Sequence, residues 1–321
     1  MNTLVIGTRG SPLALAQTEI IRGLLIKVQP TLRIETKIIK TSGDKFTEIS
    51  LPSMGGKGLF TKEIEDQLLR GEIHLAVHSM KDLPTILPNG LTIGAVPRRE
   101  DARDVFVSAR YATFDELPRG ARVATGSIRR RAQLLSRRSD LQIEEIRGNI
   151  ETRLRKLRDS DAPAATILAA AGLKRLGMWN GQTNNVLVGA DSIRDQNRSR
   201  LQTAPTLLCV PLATDVMIPA VGQGIIACEV READMETQEL LATINHSDTL
   251  ACAEAERVFL RAMGGGCHVP YAAHATIHGD QMRIIAGKFS PDGKDAARCE
   301  AIGPKNDPHE LGERAAKQVL E

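Results

Sequence analysis

The chain has 321 residues, a formal net charge of +3, 42% hydrophobic and 25% charged residues, an ordinary globular composition long enough for two or three domains. Aromatic residues make up only 3%, which excludes a stacking platform for single-stranded nucleic acid, and the small net charge excludes a general polyanion binder. The five cysteines, Cys209, Cys228, Cys252, Cys267 and Cys299, are odd in number, scattered and without a CxxC pair, so neither a disulfide framework nor a metal site is expected.

The pattern opens with a strand over residues 3–8. No basic leader precedes it, and no apolar run approaches the ~18 residues of a membrane span, so a cytoplasmic protein without membrane contact is expected. Arg9-Gly10-Ser11-Pro12 follows, with Ser11 as helix cap and Pro12 as first helical residue. The helix reads over 13–28, its apolar face running through Leu13, Ala16, Ile20, Leu24 and Val28. Strand, tight turn and helix N-terminus make an anion-receptive unit, to which Arg9 adds a fork.

A strand over 32–40 closes at Thr41-Ser42-Gly43-Asp44. Gly55-Gly56-Lys57-Gly58 lacks the spacing of a phosphate loop and reads as a flexible loop carrying a mobile Lys57. A helix over 61–70 leads to an apolar strand over 73–78. Its carboxyl end, where ligands bind in α/β sheets, carries Ser79-Met80-Lys81-Asp82.

The charge-dense stretch 98–104 reads as a crossover into a second α/β block. Strands are expected over 105–108, 121–125, 141–146 and 165–169, and helices over 128–138 and 150–157. Thr125-Gly126-Ser127 sits at a strand-to-helix turn, with Arg129, Arg130 and Arg131 in the first helical turn. Cations there oppose the helix dipole, a cost that a bound anion would offset. Arg147-Gly148-Asn149 makes a similar turn, with Arg153 one turn further on. From Arg129 to Arg158 there are nine arginines and one lysine against four acids, a bias toward bidentate carboxylate or phosphate binding. Residues 178–204 are polar and turn-rich, with no assigned role.

A second crossover near 215–221, beside Pro219-Ala220-Val221-Gly222-Gln223-Gly224, precedes a strand over 225–230. Two crossovers make a hinge between two lobes sharing a cleft. A helix over 249–263, the loop Gly264-Gly265-Gly266-Cys267-His268-Val269-Pro270, strands over 271–277, 281–288 and 296–301 and a final helix read as a small α+β domain. Cys267 is either an accessible thiol on a bare glycine loop or a buried, inert one. Many arginines, one strand-end carboxylate and one loop thiol call for a ligand with several negative charges. Asp82 is then suited to steadying a cation or carrying a proton.

Gly7-Thr8-Arg9-Gly10-Ser11-Pro12-Leu13-Ala14-Leu15, Gly55-Gly56-Lys57-Gly58-Leu59-Phe60, Ala76-Val77-His78-Ser79-Met80-Lys81-Asp82, Arg147-Gly148-Asn149 with Arg153, Ala220-Val221-Gly222-Gln223-Gly224 and Gly265-Gly266-Cys267 with Val269-Pro270 closely resemble, in one order, the porphobilinogen deaminase (hydroxymethylbilane synthase) family. The resemblance implies two periplasmic-binding-protein-like (type II) α/β lobes and a C-terminal α+β domain. It divides the chain into 1–98 with 219–243, 99–218, and 244–321. It implies a transferase that condenses four porphobilinogen molecules head to tail onto a dipyrromethane cofactor, releasing ammonia, and hydrolyses off the linear tetrapyrrole hydroxymethylbilane.

By motif, Cys267 would hold the cofactor through a thioether, and Asp82 would be the catalytic carboxylate that hydrogen-bonds pyrrole N–H groups. Lys81, Asp44, Ser79, Thr125, Ser127, Arg129, Arg130, Gly148 and Lys57 would contact the cofactor, and Arg9, Ser11, Arg147, Arg153, Arg175 and Gln223 the substrate. Ser53 and Gly126 depart from the family pattern. The expected partner is porphobilinogen, with no nucleic acid and no membrane, and the expected state a monomer. The alternative is a two-lobed polycarboxylate-binding or sensor protein without catalysis.

Overall fold

The computed structural model describes residues 3–45, 61–159, 161–187, 206–265 and 269–321. Strand β1 (Thr3–Thr8) enters helix α1 (Pro12–Val28), where Ser11 Oγ accepts from the backbone N–H of Ala14 and Pro12 occupies the first turn, as expected for a capped start. Strand β2 (Arg33–Ile38), helices α2 (Ser42–Lys45) and α3 (Lys62–Leu69), strand β3 (Leu75–Ser79), a 3-10 turn over Met80–Asp82 and strand β4 (Leu91–Ala95) follow.

The second block holds β5 (Asp104–Ser108), β6 (Arg122–Ala124), α4 (Ile128–Arg137), β7 (Gln142–Glu144), α5 (Ile150–Lys156), β8 (Ala165–Ala169), α6 (Ala170–Arg175), β9 (Asn185–Leu187) and β10 (Thr206–Pro211). The chain returns through β11 (Ile226–Arg231) and α7 (Met235–Ala242), then continues into α8 (Ser247–Ala262), β12 (Tyr271–His278), β13 (Gln281–Phe289), β14 (Ala296–Pro304) and α9 (Pro308–Leu320).

The first sheet has the order β2-β1-β3-β11-β4 and the second β7-β6-β8-β5-β10-β9. Both follow one plan. Three parallel strands are succeeded by an antiparallel strand delivered from across a crossover: β11 between β3 and β4, β5 between β8 and β10. The third sheet, β12-β13-β14, is an antiparallel meander packed against α8 and α9.

Each sheet has its own core. Leu4, Ile6, Val77 and Cys228 pack with Ile21 and Leu25 of α1 in the first. Phe106, Val123 and Ile167 pack with Leu134 of α4 in the second. Phe259, Met282, Ile284 and Leu311 fill the third. Full burial of each such side chain favours folding by about 1.5–3 kcal/mol.

The face of α1 differs from expectation. Its buried residues are Ala14, Gln17, Thr18, Ile21 and Leu25, whereas Ile20 is 39% and Val28 49% exposed. The helix serves two neighbours: Leu13 and Ala16 turn toward the second lobe and pack with Ile150 and Leu173. Strands β4 and β10 and helix α7 had no counterpart in the sequence pattern, and β2 and β7 are shorter than it suggested.

Candidate active site

The carboxyl ends of β1 and β3 form a concavity lined by Arg9, Ser11, Gln17, His78, Ser79 and Asp82, among others. Strand β3 ends at Ser79, whose hydroxyl receives the Gln17 amide at 2.8 Å. The 3-10 turn then presents Asp82 to solvent. Its tight approach is set by Gly222, at φ +72, where a Cβ would lie 2.5 Å from Met80 Cγ and 3.2 Å from the Lys81 nitrogen. Only glycine fits there.

Lys81 keeps part of its surface open yet lies deep among protein atoms. This burial pulls its ammonium below the ordinary value; Asp82 opposes the fall and Arg130 adds to it.

In the second lobe Ser127 caps α4, and its own N–H is taken by Thr125 Oγ1 at 3.2 Å. A Cβ on the intervening Gly126 would lie 3.2 Å from the Ile146 carbonyl oxygen. Arg129 and Arg130 turn inward rather than standing open for a ligand. Arg129 Nη2 donates to Asp104 at 2.7 Å and Arg130 Nη2 at 2.8 Å. Arg129 Nη1 reaches the Ile218 carbonyl at 2.5 Å and Arg130 Nη1 the Ile167 carbonyl at 3.0 Å. The anion expected at this helix start is thus supplied within the chain. Burial opposes ionisation of Asp104, but the charges of Arg129 and Arg130 and the Gln223 hydrogen bond outweigh it and hold its carboxyl down to about 2.

Gln223 does not line an open cleft. It is 1% exposed, and its amide donates to Ala102 O at 2.7 Å and Asp104 at 3.0 Å. A buried carboxylate can satisfy more acceptor sites than two arginines fill, and the amide takes one of them.

Around this cluster stand cations with neutral partners. Arg153 Nε donates to Gly148 O at 2.8 Å, and burial together with Arg130 lowers its pKa. Gly148 itself has φ +106, a conformation that frees its carbonyl for this bond. Arg175 Nη2 donates to Gly224 O at 2.7 Å, and burial brings its guanidinium down to about 10 against the pull of Glu100. Arg147 sits at the rim, 2.7 Å from Glu145. The backbone of Asp44 lies in α2. Lys57, Cys267 and the departure Ser53 lie outside the described residues, as does most of 178–204.

Two groups on α8 were missed. Glu256 accepts from Gly222 N at 2.7 Å, Ala275 N at 2.8 Å and Arg99 Nη1 at 2.5 Å, so one carboxylate joins α8, β12 and both crossovers. Burial works against its charge, yet Arg99 and His274 hold it at about 2. Arg257 donates to Pro84 O at 2.8 Å and Thr85 O at 3.1 Å, and approaches Met80 Sδ at 3.7 Å. The helix that leads toward residue 267 is therefore fastened to the turn bearing Asp82. Asp104 was missed too. Its signal was a carboxylate opening the all-apolar strand Val-Phe-Val, a position that demands a partner.

The geometry suits a polycarboxylate. Buried guanidinium groups facing carbonyl oxygens are short of negative charge, and ligand carboxylates would relieve them. Among the described residues no cluster of His, Cys, Asp and Glu could hold a metal ion, and no helix is long and apolar enough to cross a membrane. Fold and site together define a class: a two-lobed α/β protein with buried arginines gathered in the second lobe, one exposed carboxylate in the first lobe's pocket and a third domain fastened beside it.

Residues 4–239 match the family model for the porphobilinogen deaminase dipyromethane cofactor binding domain, and residues 250–321 that for the porphobilinogen deaminase C-terminal domain. Proteins named porphobilinogen deaminase from Geobacillus sp. (strain WCH70) and Trichlorobacter lovleyi are 45% and 44% identical, aligning 100% and 99% of this chain with 94% and 93% of theirs. The chain belongs to the porphobilinogen deaminase family. It is accordingly a transferase of tetrapyrrole and heme biosynthesis that carries a dipyrromethane cofactor, condenses porphobilinogen stepwise upon it and releases hydroxymethylbilane. The sensor alternative falls with that membership. Its two α/β lobes and small C-terminal sheet domain match the mixed α/β architecture that the resemblance implied.

Proposed function

We propose that the work of hydroxymethylbilane synthesis is divided between the lobes, with Asp82 as the catalytic carboxylate and the arginines as holders of ligand carboxylates. The observation that carries this is the exposure of Asp82 within a concavity whose other polar lining includes Arg9, Ser11 and Ser79. An ionised carboxylate there accepts pyrrole N–H groups and stabilises the cation left on the incoming ring when its C–N bond breaks and ammonia departs. Arg9, Ser11, Arg147, Arg153 and Arg175 bind the acetate and propionate of porphobilinogen, and Gln223 acts from beneath through Asp104.

Lys81, Asp44, Ser79, Thr125, Ser127, Gly148 and Lys57 would hold the dipyrromethane, anchored through Cys267, with Arg129 and Arg130, already bonded to Asp104, offering it only the N–H groups that pair leaves over. When bound, that group supplies the pyrrole end onto which the first ring is condensed. The sheets support domain limits of 1–98 with 219–243, 99–218 and 244–321. We further assign a cytoplasmic monomer that engages neither nucleic acid nor membrane.

Intact mass tests the anchor. Protein purified from a host that makes porphobilinogen should carry an adduct that peptide mapping places on Cys267, and Cys267→Ser should lack both adduct and turnover. An adduct mapped elsewhere, or turnover by Cys267→Ser, would overturn the assignment.

A further inference from the structure

Helix α8 turns one face to the end of β3. Glu256 and Arg257 lie three and four residues after Ala253 and so share its face. Ala253 packs with Met80 and Leu83, the two buried side chains that bracket Lys81 and Asp82. Arg257 Nη2 donates to Pro84 O at 2.8 Å and to Thr85 O at 3.1 Å, and Nη1 approaches Met80 Sδ at 3.7 Å. Glu256 accepts from Gly222 N at 2.7 Å, and Gly222 is the residue that backs Met80 and Lys81. The turn closes on itself from Leu83 N to Met80 O at 3.1 Å, and Met80 N donates to Ile225 O at 3.0 Å. The residues on either side of Lys81 and Asp82 are therefore gripped from α8, and Asp82 is left exposed between them.

Packing alone does not call for an arginine at this place. Arg257 is 7% exposed, and every hydrogen-bond partner it has among the described residues is uncharged. Burial pulls its guanidinium down to about 10; Arg261 adds to the fall and Glu229 opposes it. A methionine or leucine would fill the space without burying a charge. What the planar guanidinium adds is direction, because one nitrogen bonded to two successive carbonyls fixes the backbone just after Asp82. In the other direction α8 runs on to Ala262, and the chain is described to Gly265, two residues before Cys267. One helix thus joins the turn bearing Asp82 to the approach to the cofactor's anchor.

We propose that Arg257 is a positioning residue for the condensation, holding the Asp82 carboxylate in fixed register with the domain that carries the cofactor. This rests on the readings of Asp82 and Cys267 given above. Arg257 touches neither substrate nor reacting atoms. It acts through the backbone of Pro84 and Thr85, while Glu256 braces the same turn from behind through Gly222. The carboxylate must meet a cation that forms at one carbon only, and a misplacement of about 1 Å can cost about 10²-fold in rate.

The test is a double-mutant cycle on the cofactor-loaded enzyme, with loading read from intact mass. Arg257→Gln should lower kcat by about 10- to 100-fold with KM little changed, and Arg257→Lys should recover part of the rate by reaching one of the two carbonyls. In an Asp82→Asn background Arg257→Gln should produce no further loss, since residues that act as one unit do not add. Hydrogen exchange supplies a readout that needs no variant. The wild-type Leu83 amide should be as well protected as the amides of α8, and in Arg257→Gln it should exchange faster while α8 stays protected. Equal losses from Arg257→Gln in both backgrounds overturn the proposal. So does a loaded variant that is less stable yet turns over at the wild-type rate, which would make Arg257 a fastening between domains only. A wild-type Leu83 amide that exchanges freely overturns it even where Arg257→Gln fails to fold. The reading of Asp82 fails separately, on undiminished turnover by Asp82→Asn alone.

Discussion

The two lobes share a strand order but treat their charges in opposite ways. In the first, the β1–α1 turn and the end of β3 leave Arg9, Ser11 and Asp82 around an open concavity. In the second, the matching β6–α4 turn sends Arg129 and Arg130 inward onto Asp104, 0% exposed. The carboxylate proposed to react must meet its substrate and be released from it, which its exposure allows. A set of arginines must survive without ligand, and in a buried place that requires an internal anion. The second lobe is thus organised around a permanent counterion, whereas the first keeps its carboxylate exposed, as the role proposed for Asp82 requires.

The largest effect should come from the first lobe. Asp82→Asn should retain the Cys267 adduct and native circular dichroism while turnover falls by about 10²- to 10⁴-fold. Turnover near wild type would remove Asp82 from the chemistry and erase the contrast. The second lobe should fail differently. Asp104→Asn leaves Arg129 and Arg130 buried without a full counterion, and urea unfolding should show a loss of about 3–5 kcal/mol.

The same carboxylate gives a pH signature. Its folded value of about 2 lies below the ordinary 3.8. Its contribution is therefore fully present above 3.8 and drains away as pH falls through about 2. Asp104→Asn should flatten the stability curve in that window. The smallest change is expected at Arg153, whose guanidinium meets a carbonyl and not an acid. Arg153→Gln should raise KM by about tenfold, the scale of one charge-assisted bond, with stability nearly unchanged. A large stability loss instead would place Arg153 with the Asp104 cluster.

Local chemistry was legible in the sequence where the cause was local. Ser11 caps the helix its side chain suggested, the turns at Ser127 and Asn149 open helices where the pattern placed them, and strand β8 runs over Ala165–Ala169 as its apolar run indicated. The end of β3 was readable as a site because a hydroxyl, a cation and a carboxylate follow an apolar strand. Asp104 was not, since a carboxylate within a charge-dense stretch looks solvated until Arg129, Arg130 and Gln223 arrive from elsewhere in the chain. Gln223 read as a cleft residue for the same reason. Strand β4, with its glycine and threonine, carries a weak pattern, and its place is settled by pairing with the distant β11. Glu256 likewise gains meaning only when both crossovers meet α8.

The insertion of β11 between β3 and β4 also has a consequence for biosynthesis. The first sheet draws its other strands from residues 3–95 but its inner antiparallel strand from Ile226–Arg231. A chain emerging from the ribosome has made all of the second lobe before that strand exists. Domains ordinarily fold in the order they are made; here the second lobe can close first, while β3 and β4 wait with unpaired edges. The lobe that carries Asp82 is thereby the later of the two to mature, and its pocket forms only on a chain whose arginine cluster is already synthesised.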